Sequence, residues 1–250
     1  MHMICPKCSH SQNDSPTECQ RCGIIFSKFH ALQERKQHTS DPAVSIGGKT
    51  EKAKSTSTLL ELIFYTKEDI NVFYWGGRIL IYAAMLWFAI QFIASPIESN
   101  FAGISFMHMI NLPFHEAGHI FLRPFGSLIT SLGGSIFQLL APVICLFVLL
   151  VQTRDTFGAS VALWWFGQNF FDMAPYIDDA RSLSLPLVGG NYGHSSPYGF
   201  HDWEYILTET GLLQYDHLLA RTSIAFGTLC FILSLIWGAV VLYKQFKNLE

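Results

Sequence analysis

Charged residues are scarce in this sequence. Only 14% of its 250 residues are Asp, Glu, Lys or Arg, half are hydrophobic, and the mean hydropathy is +0.29. A soluble domain needs more charge than this to cover its surface, so the composition indicates a membrane protein that contacts the lipid bilayer. The 16 Lys and Arg residues are scattered and the net charge is −3, which excludes nucleic acid as an expected partner.

A long apolar run is missing from the first part of the chain. None begins before about residue 76, so we expect no secretory signal peptide there. Lys and Arg are concentrated before the first apolar run, and the positive-inside rule then favours a cytoplasmic N-terminus. The sequence therefore predicts an integral, multi-pass membrane protein whose N-terminal part stays in the cytoplasm.

Cysteine is rare outside one short stretch. Four of the six cysteines lie within residues 5–22, as two CxxC pairs ten residues apart. They are Cys5, Cys8, Cys19 and Cys22. Such pairs form two tight turns that direct four sulfurs at one metal, and Gly23 favours the second turn. We predict a four-cysteine zinc ribbon over residues 1–29 with one structural zinc; an iron site or a redox-active dithiol is the alternative.

The rest of the chain divides by composition. A flexible linker is expected over residues 30–58, an interfacial amphipathic segment over 59–75, and a transmembrane domain over 76–250 that contains a long loop, 181–218. The predicted fold is thus an all-α polytopic membrane protein with a small N-terminal zinc ribbon. About five apolar spans are expected, roughly at 77–95, 101–123, 132–151, 157–177 and 219–243.

The second expected span carries an HExxH motif, His115-Glu116-Ala117-Gly118-His119. On a helix, His115 and His119 share one face and can bind one zinc, while Glu116 can act as general base on a water molecule. Charged groups are costly inside lipid, so their presence there indicates a function. Two core histidines beside a water-filled gap are the structural alternative.

A catalytic zinc usually has three protein ligands, so the motif needs a partner. Asp178 follows Pro175 at the end of the fourth expected span, which should end on the same side of the membrane as the motif. Pro175 is expected to break that helix and turn Asp178 inward. Asp172 and Asp179 are the rival ligands.

These residues resemble the site-2 protease type of intramembrane zinc metalloprotease, peptidase family M50. The similarity covers roughly residues 101–180. It rests on three stretches: the HEAGH motif, the glycine-led Gly133-Gly134-Ser135-Ile136-Phe137-Gln138-Leu139-Leu140-Ala141-Pro142, and Pro175-Tyr176-Ile177-Asp178. The sequence departs from the family in having Asp179 and Ala180 where glycines are usual, and in placing Asn169 one residue further from Asp178.

The resemblance implies an endopeptidase that cleaves membrane-embedded or membrane-proximal peptide bonds by zinc-activated water. His115, His119 and Asp178 would hold the catalytic zinc, Glu116 would be the base, and Asn169 would contact the substrate, a membrane protein. Asn111, Gln138 and Asn169 are expected either to line a water path or to form interhelical hydrogen bonds.

Three questions stay open at this level. The histidines and carboxylates of the 181–218 loop could form another metal site or simply face water. The ribbon could bind a cytoplasmic protein or only stabilise the N-terminus. The altered Asp178-Asp179-Ala180 stretch supports a second functional hypothesis, a catalytically inactive M50-like protein that binds or regulates a membrane partner.

Overall fold

The computed structural model describes residues 2–8, 10–13, 17–29, 56–67 and 70–249. It divides the chain into two compact units, Met1–Lys52 and Ala53–Glu250, each of which is described by itself. The linker expected over residues 30–58 lies outside the described residues, except for its last three positions, which begin a helix.

The N-terminal unit is built on two short antiparallel strands, β1 (His2–Ile4) and β2 (Ser11–Asn13). A turn between them carries Cys5 and Cys8, and the Cys5 amide donates to the His10 carbonyl at 2.9 Å. A second turn repeats this pattern at Cys19, whose amide donates to the Ile24 carbonyl at 3.0 Å. Gly23 takes a φ of 66°, which a side chain would disfavour, and closes that turn.

The second unit is helical. Its helices are α1 (Thr56–Ile63), α2 (Val72–Ala94), α3 (Phe106–Leu122), α4 (Ser127–Phe147), α5 (Thr156–Asp178), α6 (Asp202–Glu209) and α7 (Asp216–Phe246). A π-helical turn, Val148–Gln152, extends α4. The interfacial segment expected over residues 59–75 is helical as far as Ile63 and again from Val72, where α2 begins. The Ile63 carbonyl accepts from Trp237 Nε1 on α7.

Three stretches of the described chain are long and apolar enough to cross a membrane: Val72–Ala94, Ser127–Gln152 and Leu213–Phe246. Helices α3 and α5 occupy the other two expected positions, but the count of five spans is not confirmed. Helix α3 has 17 residues, or about 26 Å, less than a bilayer core of about 30 Å. Helix α5 is the central helix, and its buried residues include polar ones such as Gln168 and Asp172.

Glycines set the closest helix contacts. A Cβ placed on Gly227 of α7 would lie 2.8 Å from the carbonyl oxygen of Gly167 on α5, so these two helices touch through their backbones. The same kind of contact joins Gly118 of α3 to Gly133 of α4. Small residues at crossings are typical of helices packed within membranes, where close approach provides van der Waals contact.

Helix α5 does not break at Pro175, contrary to the sequence-based expectation. It continues to Asp178, with Pro175 inside its last turn. Neighbouring helices and local adjustments can satisfy the backbone group that such a proline frees in a membrane helix. Asp178 consequently keeps a helical direction and does not turn inward after a kink.

Candidate metal centre

The two histidines of the HExxH motif lie one turn apart on α3, with ring centroids separated by 4.8 Å. His115 Nδ1 donates to Gln138 Oε1 at 2.8 Å, and His119 Nδ1 donates to the Thr130 carbonyl at 2.8 Å. Both acceptors belong to α4. Because Nδ1 is the donor in each of these bonds, Nε2 is the nitrogen of each ring that can bind a metal ion once it carries no proton, as in metal-binding imidazoles generally.

Asp202, the first residue of α6, faces both free nitrogens. Its Oδ2 lies 3.2 Å from His115 Nε2 and 3.3 Å from His119 Nε2. A tetrahedral zinc with bonds of about 2.1 Å holds its ligand atoms about 3.4 Å apart. The three residues, here called the His–His–Asp group, could hold a metal ion: their ligand atoms all lie within 4.8 Å of one another, and the two distances to Asp202 are close to the tetrahedral value.

The Asp202 carboxylate is buried in this group. Burial alone would raise its pKa, but hydrogen bonds from His115 and His119 outweigh that effect and hold the pKa of Asp202 below its ordinary value. The carboxylate is thus favoured in its ionised form, which is the form that binds a metal ion.

Neither Asp178 nor its two rivals belongs to the His–His–Asp group. Asp178 Oδ1 instead accepts from His217 Nδ1, on α7, at 2.6 Å. Asp172 lies within a polar contact between α3 and α5, where its oxygens are 3.0 Å from His108 Nδ1 and 2.9 Å from Asn111 Nδ2. The sequence predicts that one of these three carboxylates faces the two histidines. In the structure the carboxylate in that position is Asp202.

Asp179 holds the chain that follows α5. Burial would raise the pKa of its carboxyl group, yet hydrogen bonds from Ser182 and from the Ser184 and Leu185 amides, together with the nearby His201, keep that pKa well below its ordinary range. An ionised carboxylate with this many donors fixes the local backbone. Asp179 is therefore an anchor of the 181–218 segment.

Tyr176 is a neighbour of the site that the sequence did not single out. Its hydroxyl accepts from the Asp202 amide at 2.9 Å and lies 3.4 Å from Asp202 Oδ2. Its ring centroid is 4.1 Å from that of His201 and 6.5 Å from that of His115. Tyr176 thus joins the end of α5 to the beginning of α6.

Of the three polar residues for which a water path or interhelical hydrogen bonds were the alternatives, Asn111 and Gln138 form interhelical hydrogen bonds in the structure. Asn111 Nδ2 donates to Gln168 Oε1 at 2.8 Å, and Gln138 is the partner of His115. Asn169 donates to the carbonyl of Trp165 on its own helix at 2.9 Å, and its buried Oδ1 has no partner among the described residues. Asn169 precedes Tyr176 by seven residues, or about 10 Å along α5.

The side chain of Glu116 is half-buried and forms no hydrogen bond or ion pair with the described part of the chain. It lies close enough to His119 and Tyr176 to act on both electrostatically. Because no other side chain of the described residues engages this carboxylate, its oxygens are available to a ligand of the site. This is the position that the HExxH motif predicts for a general base.

Gly134 of α4 provides the space for His115. A Cβ at this position would collide with the imidazole at Nε2, the nitrogen that faces Asp202. Beside it, Gly118 and Gly133 bring the backbones of α3 and α4 into contact. The glycine pair at the beginning of α4 therefore allows the histidine to lie against a helix surface that lacks side chains.

We expect Gly134→Ala to weaken zinc binding at the His–His–Asp group by roughly tenfold or more and to destabilise the fold by about 1–3 kcal/mol, because the new methyl group displaces His115. Competition with a chelator and thermal unfolding in detergent measure the two effects. Gly76→Ala on α2 is the control, since a Cβ there meets nothing within 4 Å. Equal zinc affinities for the two variants would contradict the prediction.

The four cysteines of the ribbon form a second group whose ligand atoms lie close together. Cys5 Sγ is 3.8 Å from Cys22 Sγ, and Cys8 Sγ is 3.7 Å from Cys19 Sγ. Zinc–sulfur bonds of about 2.3 Å in a tetrahedron give a sulfur separation of about 3.8 Å. Burial opposes ionisation of Cys19, but backbone amides of Cys22 and Arg21 lower its pKa to about 6, which favours the thiolate.

The two groups differ in chemical capacity. Four sulfurs close a tetrahedral shell, whereas two nitrogens and one carboxylate leave a fourth position for water or substrate. No family model, curated protein or solved structure matches this chain. The functional assignment therefore depends on the geometry of the site and on the motifs in the sequence.

Proposed function

We propose that this protein is an intramembrane zinc-dependent endopeptidase of the site-2 protease type. The observation that supports it best is the His–His–Asp group, which lies next to Glu116, a residue with no hydrogen bond or ion pair among the described residues. Those residues also include three candidate membrane spans. The spacing of the three ligand atoms suits zinc, and three protein ligands are typical of catalytic rather than structural sites.

In this proposal His115, His119 and Asp202 hold the catalytic zinc. The metal, when bound, supplies a Lewis acid that lowers the pKa of water and polarises a peptide carbonyl. Glu116 accepts the proton of the attacking water and returns it to the leaving amine. Gln138 and the Thr130 carbonyl keep the histidine rings in the ligating orientation, as hydrogen-bond acceptors behind metal-bound histidines generally do.

The proposed substrate is a membrane protein with a locally unwound segment, because a peptide bond within a regular helix is shielded from attack. We place the protein in the membrane with a cytoplasmic N-terminus, as the distribution of Lys and Arg favours. Asn169 keeps its proposed role in holding substrate; its buried Oδ1 is an acceptor without a partner among the described residues.

The ribbon is proposed to bind one structural zinc through its four cysteines, separately from the catalytic zinc. The sulfur separations fit a closed tetrahedral shell that has no open position. A small module of this size depends on its metal to fold. Contact with a cytoplasmic protein is the further role proposed for it.

The alternative function, an inactive M50-like binding or regulatory protein, was based on the unusual residues after Asp178. Asp179 now has a structural explanation, since its carboxylate holds residues 182–185. With Asp202 as the proposed third ligand, the departure from the family pattern no longer argues against turnover. The free carboxylate of Glu116 favours the enzyme, because a protein that merely holds a metal needs no base there.

Removal and return of zinc test the proposed activity. We expect the purified chain, in vesicles of phosphatidylcholine and phosphatidylglycerol, to cleave members of a panel of quenched single-span peptides that carry a central Gly-Pro break. Cleavage should stop after treatment with a zinc chelator and return when zinc, but not magnesium, is added. Cleavage that persists without metal would contradict a metalloprotease.

A further inference from the structure

The proposed third ligand is carried by an unusual part of the molecule. Asp202 begins α6, a helix of eight residues, and it is separated from the end of α5 by 23 residues that contain only a short 3₁₀ turn. The two histidines, in contrast, are on a longer helix packed against α4. Ligand geometry needs to be held within about 0.5 Å, so the segment that carries Asp202 must be fixed by side chains outside the His–His–Asp group.

Asp179 supplies the first of these contacts. Its Oδ1 accepts from the Ser184 amide and hydroxyl, both at 2.8 Å, and its Oδ2 accepts from the Leu185 amide at 2.9 Å. The carboxylate is only 4% exposed. Asp179 is also the first residue after α5, at its C-cap. It therefore fixes the start of the segment that returns to the site.

His201 supplies the second contact. It is fully buried, and its Nδ1 accepts from the Glu204 amide at 3.1 Å, which caps the N-terminus of α6. Because Nδ1 is an acceptor, Nε2 carries the proton, and it faces Asp179 Oδ2 at 3.5 Å. That separation is an electrostatic contact rather than a short hydrogen bond. His201 directly precedes Asp202 in the chain. Its ring thus connects the Asp179 carboxylate to the beginning of α6, which carries Asp202.

Tyr176 completes the connection. Its ring packs on His201, and its hydroxyl accepts from the Asp202 amide. From these contacts, and on the basis of the proposed function, we propose that Asp179 and His201 are positioning residues that set the zinc affinity of the site by holding Asp202 against His115 and His119. The contact from His201 Nε2 to Asp179 is the link on which this positioning depends.

Neighbouring Asp178 provides a matched control. It has the same charge, lies one position earlier, and also pairs with a histidine, His217 at 2.6 Å. That pair connects α5 to α7 and involves neither Asp202 nor the segment before it. A general effect of removing a carboxylate at this end of α5 would therefore appear in both Asp178→Asn and Asp179→Asn, whereas a positioning effect would appear only in the second.

The test uses the full chain with Cys5→Ser and Cys8→Ser, so that the ribbon does not contribute a second zinc. Three variants are made in it: Asp179→Asn, His201→Asn, and both together. His201→Asn retains an oxygen that can cap α6 but loses the proton directed at Asp179. Zinc affinity is measured by chelator competition, and the visible spectrum of the cobalt-loaded protein reports the coordination.

We expect each single variant to weaken zinc binding by about 10- to 100-fold, as loss of residues that orient metal ligands commonly does, and to alter the cobalt spectrum. The double variant should bind zinc as tightly as the single variant with the lower affinity. Both substitutions break the same contact, from His201 to Asp179, so their effects should not add. Asp178→Asn should stay within about twofold of the parent. Without metal, all variants should stay folded at the temperature of the binding assay, which thermal unfolding checks.

Additive losses in the double variant, or an equal loss in Asp178→Asn, would overturn the positioning role. So would wild-type zinc affinity in Asp179→Asn, and so would a loss of affinity that only follows a lowered unfolding temperature. These results do not depend on proteolysis. If the parent binds zinc as described but no peptide is cleaved, the proposed protease activity fails while the positioning role stands.

Discussion

Glu116→Gln is expected to lower proteolysis by at least about 100-fold while the protein keeps both zinc ions. Glutamine has nearly the shape of glutamate but cannot accept a proton from water, so the variant removes the base without removing a ligand. Glu116 is suited to this test because its side chain forms no hydrogen bond or ion pair within the described part of the chain. The substitution should therefore leave the fold unchanged.

The measurement compares membranes from cells that express the wild type with membranes from cells that express Glu116→Gln. Mass spectrometry of protein N-termini should find new ends within or beside membrane spans only with the wild type. Glu61→Gln on α1 is a matched control for the loss of one carboxylate. Identical sets of N-termini for Glu116→Gln and wild type would rule out Glu116 as the base. The two proteins must contain equal amounts of zinc, so that a difference in cleavage reports the loss of the base and not the loss of metal.

Asp202→Ala is expected to remove zinc from the catalytic site and to abolish activity. With only two protein ligands left, zinc affinity should fall by more than the roughly 100-fold that loss of an orienting residue can cause. The half-buried histidines would also lose the carboxylate that faces both Nε2 atoms. Metal analysis should then give about one zinc per chain, held by the ribbon, in place of about two.

Asp178→Ala serves as the control for this prediction, because its carboxylate pairs with His217 outside the His–His–Asp group. It should keep about two zinc ions and most of its activity. The reverse result, with zinc lost from Asp178→Ala and kept by Asp202→Ala, would restore the ligand assignment that the resemblance to the protease family implies.

The parts of the site that depend on local spacing were accessible from the sequence. Two histidines four residues apart share a helix face wherever that helix lies, and two CxxC pairs form adjacent turns wherever the ribbon lies. The structure brings both sets of atoms together as expected: His115 next to His119, and the four cysteine sulfurs in one cluster.

The proposed third ligand, Asp202, could not be predicted in this way. Asp202 follows His119 by 83 residues, and no periodicity relates two positions so far apart. The sequence favours Asp178 because it lies at the end of a predicted span, at the same expected depth in the membrane as the motif. Depth alone does not identify which side chains are neighbours. The available signal is the length of the 181–218 loop and its adjacent residues His201 and Asp202, a pattern that by itself indicates either a separate metal site or a solvated loop.

The number of membrane spans shows a related limit. Hydropathy identifies a helix that is apolar on all sides, but α5 buries polar residues against its neighbours, and α3 is short and carries the motif. Both helices are present where apolar runs predicted them. Their depth in a bilayer depends on how they pack against neighbouring helices. A hydropathy average along the sequence carries no information about that packing.

The two histidines also differ in how substitutions at neighbouring positions can affect them. The acceptor behind His119 is the backbone carbonyl of Thr130, which every amino acid possesses, so position 130 can change identity without removing that hydrogen bond. The acceptor behind His115 is the side chain of Gln138, which a single codon change can delete. Substitutions at position 130 therefore leave the hydrogen bond to His119 intact, whereas substitutions at position 138 remove the one to His115.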